Sequence, residues 1–254
     1  IAPMVERAAY IGGCDGVATV ASARLIGEQP VGTMPHALII QMGGTVNAAL
    51  AFDELIEKDV PRVVLIDTFE DEKFEAIRVA ECLGDRLYGI RFDTPGSRRG
   101  DFKALIEETK WELALRGHEH VRIFVSGGLD TREILALSDV ADAFGVGTAV
   151  ASAATLDFSM DIVEMDGIPI AKRGKASGKK SVLRCRTCLR DLVVPYGEKR
   201  VCTCSGPMED ILGTVIESGH LVYDLPKPQD IRQRLLTELI LLQKGSSPKE
   251  LLNL

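Results

Sequence analysis

The sequence predicts an α/β protein in two parts: an irregular, incomplete α/β barrel over residues 1–156, and a β-rich C-terminal module over 157–254 with a terminal helix. Three observations carry this expectation. Short β-branched runs alternate with longer helical patterns over the first two thirds of the chain, the rhythm of parallel strands joined by crossover helices. Aromatics make up 5% of residues against a hydrophobic share of 46%, so Val, Ile, Leu and Ala must fill the core, as suits buried parallel strands. From about Asp157 the texture changes to hairpin signals, a basic Gly-rich stretch and clustered cysteines.

The elements follow in order. Pro30-Val31-Gly32-Thr33 reads as a strand end. After the Gly43-Gly44 break, Thr45 can cap a helix to about Lys58. Arg62-Val-Val-Leu-Ile66 is a continuous apolar run ending at Asp67, as in a buried parallel strand. A helix from about Asp71 stops at Gly84, and Leu87-Tyr-Gly-Ile90 is the next strand. Asp101 caps a helix from Phe102 to about Arg116, closed by Gly117. Val121-Arg-Ile-Phe-Val125 is a strand ending at Ser126-Gly127-Gly128, and Thr131 opens a helix through Leu137. Ala141-Asp-Ala-Phe144 runs into Gly145-Val146-Gly147-Thr148. This gives about five βα units, short of the eight of a full barrel. Asp166-Gly167 suits a type I′ turn between two strands within 161–170. Apolar residues at helical spacing place a terminal helix over Gln229 to Lys244.

Charge and composition narrow the function. A net charge of −7 argues against a generic nucleic-acid binder, which carries a basic balance. No run approaches the roughly 18 apolar residues of a membrane span, and no secretory signal is visible. Four of the six cysteines fall in a tight spacing, which suits a reducing cytoplasm better than a disulfide framework. The opening Ile1-Ala-Pro-Met reads as internal, so a preceding segment is expected.

Polar residues gather where strands end, the edge on which α/β barrels build their sites. Asp67, Arg91, Asp93, Ser126 and Gly145 to Thr148 are expected to converge there. Arg91 and Asp93 alternate and so face alike: a guanidinium grips phosphate or carboxylate, and a carboxylate holds ribose hydroxyls or a metal. A structural salt bridge is the alternative. The glycine loops Ser126-Gly127-Gly128 and Gly145-Val146-Gly147-Thr148 permit close approach of backbone N–H groups to phosphate. His36 is a candidate nucleophile or proton shuttle, or else a satisfied structural histidine. Asp67 opens an acidic run and could help place Mg²⁺. Lys172 begins a basic stretch to Arg184, which is either a solvated loop or a loop reaching polyphosphate. Cys185-x-x-Cys188 and Cys202-x-Cys204 can supply four thiolates to a structural Zn²⁺, since a closed set leaves no open coordination position.

Taken together, Glu6-Arg7, Gly12-Gly13-Cys14-Asp15-Gly16, Gly32-Thr33-Met34-Pro35-His36, Asp67-Thr68, Arg91-Phe92-Asp93-Thr94, Ser126-Gly127-Gly128-Leu129, Phe144 to Thr148 and Lys172 to Lys180 resemble, in order, the nicotinate phosphoribosyltransferases, particularly their archaeal-type members. The resemblance implies synthesis of nicotinate mononucleotide from nicotinate and phosphoribosyl pyrophosphate (PRPP) in NAD biosynthesis, coupled to ATP hydrolysis through phosphorylation of His36. It implies Mg²⁺ and ATP as cofactors and a homodimer or higher homo-oligomer. Arg7 and Arg91 match arginines near base and phosphates, and Asp67 and Asp93 acids near ribose and metal. Thr94, Ser126, Gly127, Gly128, Gly145, Gly147, Thr148 and Lys172 match substrate-binding positions, and Asp15 to Thr19 the base pocket. The family's Arg-x-Asp-Ser-Gly is Arg-x-Asp-Thr-Pro-Gly here. Quinolinate phosphoribosyltransferase, which shares the fold, and a non-catalytic zinc-stapled binding module are the alternative readings.

Overall fold

Continuous apolar runs set a parallel sheet. In the computed structural model, which describes residues 1–243, strands β1 (Val63–Leu65), β2 (Gly89–Phe92), β3 (Arg122–Val125) and β4 (Ala143–Phe144) pair in consecutive order. All three pairings are parallel, with Val64 opposite Ile90 and Ile90 opposite Ile123. Val64, Leu65, Ile90, Phe92, Ile123 and Val125 are buried completely, so the strands bury both faces, which is why they read as unbroken apolar runs. Parallel pairing puts the C-terminal ends of all four strands on one edge.

The helices after β1, β2 and β3 start where the sequence says they should, while α4, expected to reach about Lys58, ends at Leu55. Asp71 accepts from Lys73 N and Phe74 N and starts α5 (Glu72–Leu83); α4 (Thr45–Leu55) precedes β1. Asp101 caps α6 (Phe102–Leu115) through Ala104 N at 3.1 Å. Asp130 and Glu133 form a capping box on α7 (Thr131–Leu137), satisfying orphan amides reciprocally. Helix α5 packs against both α4 and α6. Buried Arg62 donates to the Asp53 carboxylate at 3.0 Å and to the Ile56 carbonyl at 2.6 Å, tying the end of α4 to the start of β1.

The first helices are α1 (Ala2–Gly12), α2 (Val20–Ile26) and α3 (His36–Met42), and α8 (Thr148–Ala151) follows β4. Pro30 to Thr33, expected to end a strand, is exposed and forms none; Pro30 lacks a ladder donor and the segment has no apolar face to bury. The sheet accordingly has four strands rather than about five, and no closed barrel is present among the described residues.

The chain separates into two units, one of residues 1–5 and 30–154, the other of 6–29 and from 155 onward. The expected boundary at 156/157 differs from this by the segment 6–29. Helix α9 (Pro228–Gln243) explains the difference: Arg232 donates to the carbonyls of Tyr10, Gly13 and Cys14 and lies 4.9 Å from the Tyr10 ring. One guanidinium thus caps the open carbonyl end of α1. Gln229 reaches the Ile26 carbonyl at the end of α2, at 2.6 Å. Lys244, expected in this helix, lies outside the described residues.

The rest of the second unit is β-rich. Hairpin β5 (Glu164–Met165) to β6 (Ile168–Pro169) turns on Asp166 and Gly167, at φ 50° and 77°, the left-handed pair a type I′ turn needs. Strands β7 (Lys180–Cys185), β8 (Asp191–Pro195) and β9 (Met208–Asp210) form an antiparallel sheet in the order β8-β7-β9. A last hairpin joins β10 (Ile216–Glu217) to β11 (His220–Leu221).

Phe92 tests the core directly. It is fully buried, and its ring meets Phe102 edge to face at 5.9 Å. Phe92→Ala should cost about 3–5 kcal/mol in urea unfolding, the range for emptying a packed aromatic site. A loss below about 1 kcal/mol would show that the sheet–helix core collapses around the void.

Candidate active site and cysteine cluster

Four segments of the first unit meet at the C-terminal edge of the sheet. Asp93, one residue past β2, accepts from Ser126 Oγ at 2.5 Å and lies 3.3 Å from His36 Nε2. The other ring nitrogen of His36 is 3.0 Å from Thr68 Oγ1. Arg91, two residues before Asp93 and facing alike, donates to Ser126 Oγ at 2.9 Å and to the Met34 carbonyl at 2.6 Å. Its guanidinium also sits 3.6 Å from Asp93. The loop before α3 and the ends of β2 and β3 are thereby joined through one carboxylate and one guanidinium, and the His36 ring adds the loop after β1.

Burial strains both charges. Burial pulls the Arg91 pKa down, and the carboxylates of Asp93 and Asp67 oppose it. Burial likewise pushes the Asp67 carboxyl up, while His36 and Arg91 pull it down and Asp93 adds to the rise. One oxygen of Asp67 is buried with no hydrogen-bond partner, an arrangement folding alone does not favour. His36 remains partly open, with 42% of its side chain exposed.

The glycines explain how closely the loops approach. Gly127 has φ 89°, and a Cβ there would lie 2.9 Å from the Asp93 carbonyl oxygen. A Cβ on Gly145 would meet the Ser126 Cβ at 3.1 Å, so this loop lies against Ser126 as well. Gly128, Gly147 and Thr148 are exposed alongside them in sequence.

Other expected site residues have partners of their own. Thr94 is buried and donates to Glu72 at 2.7 Å, because it alternates with Asp93 and faces the other way. Thr19 caps α2 and donates to Glu6 at 2.8 Å. Asp15 is exposed and pairs with Arg232 at 3.3 Å. Arg7 is half-buried and Lys172 exposed; all four belong to the second unit. The sequence reading missed Arg99 and did not single out Thr68 as a partner of His36. Arg99 donates to the carbonyls of Thr94, Ser126 and Gly127 and pairs with Glu133 at 2.9 Å. Neither residue carries a spacing or period that marks it; only the folded loops bring them to their partners.

In the second unit the thiols of Cys185, Cys188, Cys202 and Cys204 lie within 4.8 Å of one another. Cys185 to Cys204, and Cys188 to both Cys202 and Cys204, measure 3.5 Å. A disulfide needs about 2.0 Å, whereas a tetrahedron with metal–sulfur bonds of about 2.3 Å has edges near 3.8 Å. The Cys188 backbone N–H, helped by that of Thr187, draws the Cys185 thiol down to about 6 against its burial. The donor set and its spacing fit a four-thiolate metal. Gly206 lets the chain pass close to the thiols: a Cβ there would come 2.8 Å from the Cys185 sulfur.

A parallel sheet with its ionisable groups gathered at the strands' C-terminal ends is the layout of an α/β enzyme. Residues 1–161 match the family described as quinolinate phosphoribosyl transferase, C-terminal domain, and the chain belongs to that family. It is 33% identical over 213 residues to the nicotinate phosphoribosyltransferase pncB1 of Mycobacterium tuberculosis, covering 77% of this chain and 46% of that one. A Bacillus subtilis nicotinate phosphoribosyltransferase is 30% identical over 155 residues, 58% of this chain and 30% of its own. The chain thus spans about half the length or less of these curated relatives. Among solved structures, nicotinate-nucleotide pyrophosphorylase from Pyrococcus furiosus superposes with a TM-score of 0.91 at 52% identity, covering 96% of this chain and 63% of that one. Human nicotinic acid phosphoribosyltransferase, at 18% identity and TM-score 0.66 over 93% of this chain and 61% of its own, shares the fold. No described helix is long and apolar enough to cross a membrane.

Asp67 makes a testable statement about stability. Its folded pKa is raised, so the folded state binds more protons than the unfolded one between the two pKa values, and stability falls as pH rises through that window. Without added divalent cation, Asp67→Asn should therefore be more stable than the parent at pH 7, with the advantage shrinking toward pH 4. Denaturant melts of both proteins across that range check it. An advantage that stays constant with pH would remove the buried charge as its cause.

Proposed function

We propose that this chain carries the catalytic core of a nicotinate phosphoribosyltransferase of the archaeal type, forming nicotinate mononucleotide and pyrophosphate from nicotinate and PRPP in NAD biosynthesis. The observation that carries the reading is the single hydrogen-bonded cluster of His36, Arg91, Asp93 and Ser126 at the strand ends, in a chain of the family described as quinolinate phosphoribosyl transferase, C-terminal domain. The relatives named nicotinate phosphoribosyltransferase support it. On this reading the four-stranded sheet is part of an irregular α/β barrel and the protein works as a homodimer or larger homo-oligomer.

In the reaction the nicotinate ring nitrogen bonds to C1 of PRPP as the C1–O bond to pyrophosphate breaks and its electron pair leaves with oxygen. Positive charge builds on the sugar ring, so the protein's part is positioning and electrostatics. Asp93 holds the ribose hydroxyls and offsets that charge, Arg91 faces phosphate oxygens, and the amides of the two glycine loops hold the 5′-phosphate. Mg²⁺, when bound, neutralises pyrophosphate; the unpartnered oxygen of Asp67 is a suitable ligand. Arg7, Asp15, Thr19 and Lys172 belong to base and phosphate recognition on this reading.

ATP coupling runs through His36. An ionised carboxylate only accepts, so Asp93 fixes the proton on Nε2 and leaves the Nδ1 lone pair facing the Thr68 hydroxyl. That nitrogen attacks the γ-phosphorus of ATP, and ADP departs. His36→Ala should abolish the stimulation of nucleotide synthesis by ATP, read as the ratio of ADP to nicotinate mononucleotide formed. An unchanged ratio would take His36 out of the mechanism.

A specific observation favours a second reading: the family description names quinolinate. Assaying both acids with PRPP, with and without ATP, separates the two, since the quinolinate reaction releases CO₂ and needs no ATP.

The cysteine cluster is proposed as a structural Zn²⁺ site, remote in role from the chemistry. Metal analysis should find about one zinc per chain, and Cys185→Ser should lose most of it together with part of the folding free energy the metal supplies. Full metal content in that variant would refute the four-thiolate assignment.

A further inference from the structure

Arg99 is unlike the other arginines near the strand ends, because it faces backbone. Its side chain is only 10% exposed and its guanidinium lies 4.8 Å from the Phe102 ring. Nε donates to the Thr94 carbonyl at 2.6 Å, one terminal nitrogen pairs with Glu133 at 2.9 Å, and the other donates to two successive carbonyls, Ser126 at 3.2 Å and Gly127. Glu133 is itself held by the Asp130 amide at 2.9 Å. The guanidinium is therefore fixed on several sides, and it fixes the loops after β2 and β3 to each other.

The consequence lies in peptide geometry. In a trans peptide the N–H points opposite to the C=O of the same unit. Drawing the Ser126 and Gly127 carbonyls toward Arg99 turns the amides of Gly127 and Gly128 the other way, side by side. Among the described residues neither amide has a hydrogen-bond partner. The left-handed φ values of 89° and 68° at these two glycines permit the arrangement. Successive free amides pointing together form a concavity for an anion.

We infer that Arg99 is a positioning residue for sugar-phosphate binding: by holding the Ser126 and Gly127 carbonyls it presents the Gly127 and Gly128 amides to the phosphate monoester of the substrate. The inference rests on the reading of this edge as a phosphoribosyl site. It assigns Arg99 no contact with substrate, and it separates Arg99 from Arg91, which faces the polar cluster.

The test uses the full chain, with ribose 5-phosphate as the binding probe and PRPP as the substrate. Arg99→Lys keeps a cation but not the planar fork that reaches two carbonyls. It should weaken ribose 5-phosphate binding about tenfold or more and raise KM for PRPP similarly, leave KM for nicotinate within about twofold, and change kcat little. Arg99→Ala should be worse in the same parameters. Equal affinity for ribose 5-phosphate in parent and Arg99→Lys, or equal losses for nicotinate and PRPP, overturns the inference. Should the variants fold poorly, ¹⁵N-glycine labelling of the parent decides: ribose 5-phosphate should shift the Gly127 and Gly128 amides, and silence at both sinks the idea. Turnover with an unchanged PRPP KM in folded variants removes the inference and leaves the enzyme reading standing. No turnover, but Arg99-dependent binding of ribose 5-phosphate, removes the enzyme reading and keeps the inference.

Discussion

The Asp93 carboxylate is the point on which the sheet edge depends. It accepts from Ser126 just beyond β3, faces His36 at the start of α3, and lies beside Arg91 of β2. These partners stand 33, 57 and 2 residues away in sequence. A neutral side chain at that position would leave the partly buried Arg91 guanidinium without its nearest carboxylate, and an unpaired buried charge costs more than the pair contributes. The same carboxylate lies within hydrogen-bond distance of the His36 ring, whose other nitrogen faces Thr68. One group therefore ties together three segments of this edge.

That sharing has a physical cost visible in the neighbours. Asp67 keeps an oxygen buried without a partner, and burial disfavours the charge on both Asp67 and Arg91. Sites that must receive a charged ligand characteristically hold such groups, because the ligand rather than the fold completes their interactions. The core beneath is what tolerates the strain: Ile66 and Phe92, adjoining Asp67 and Asp93, are completely buried in the main apolar cluster.

Much of this edge was legible in the sequence for a local reason. A buried strand is a short apolar run, so the polar residue that ends it marks the rim; Asp67, Asp93 and Ser126 were all read this way. Caps were legible too, since Asp71 and Asp101 act on amides two or three residues ahead. What the sequence did not show was non-local. Thr94 looked like a site residue beside Asp93, yet strand alternation sends it to Glu72. Pro30 to Thr33 looked extended, and extended backbone without a ladder partner is no strand. Residues 6–29 gave no hint of their attachment to α9, because Arg232 and Gln229 lie more than 200 residues away.

Arg99 shows why such residues escape a sequence reading. A binding group is sought by its side chain's chemistry, and here an arginine beside a phosphate-type loop invites assignment as a phosphate ligand. Its contacts run the other way, to carbonyls, and its charge is already matched by Glu133. The groups proposed to face the anion are backbone amides, which no side-chain alphabet encodes except through the glycines that let them turn. The shape of this loop therefore depends on what lies behind it: an arginine whose partners the fold alone selects.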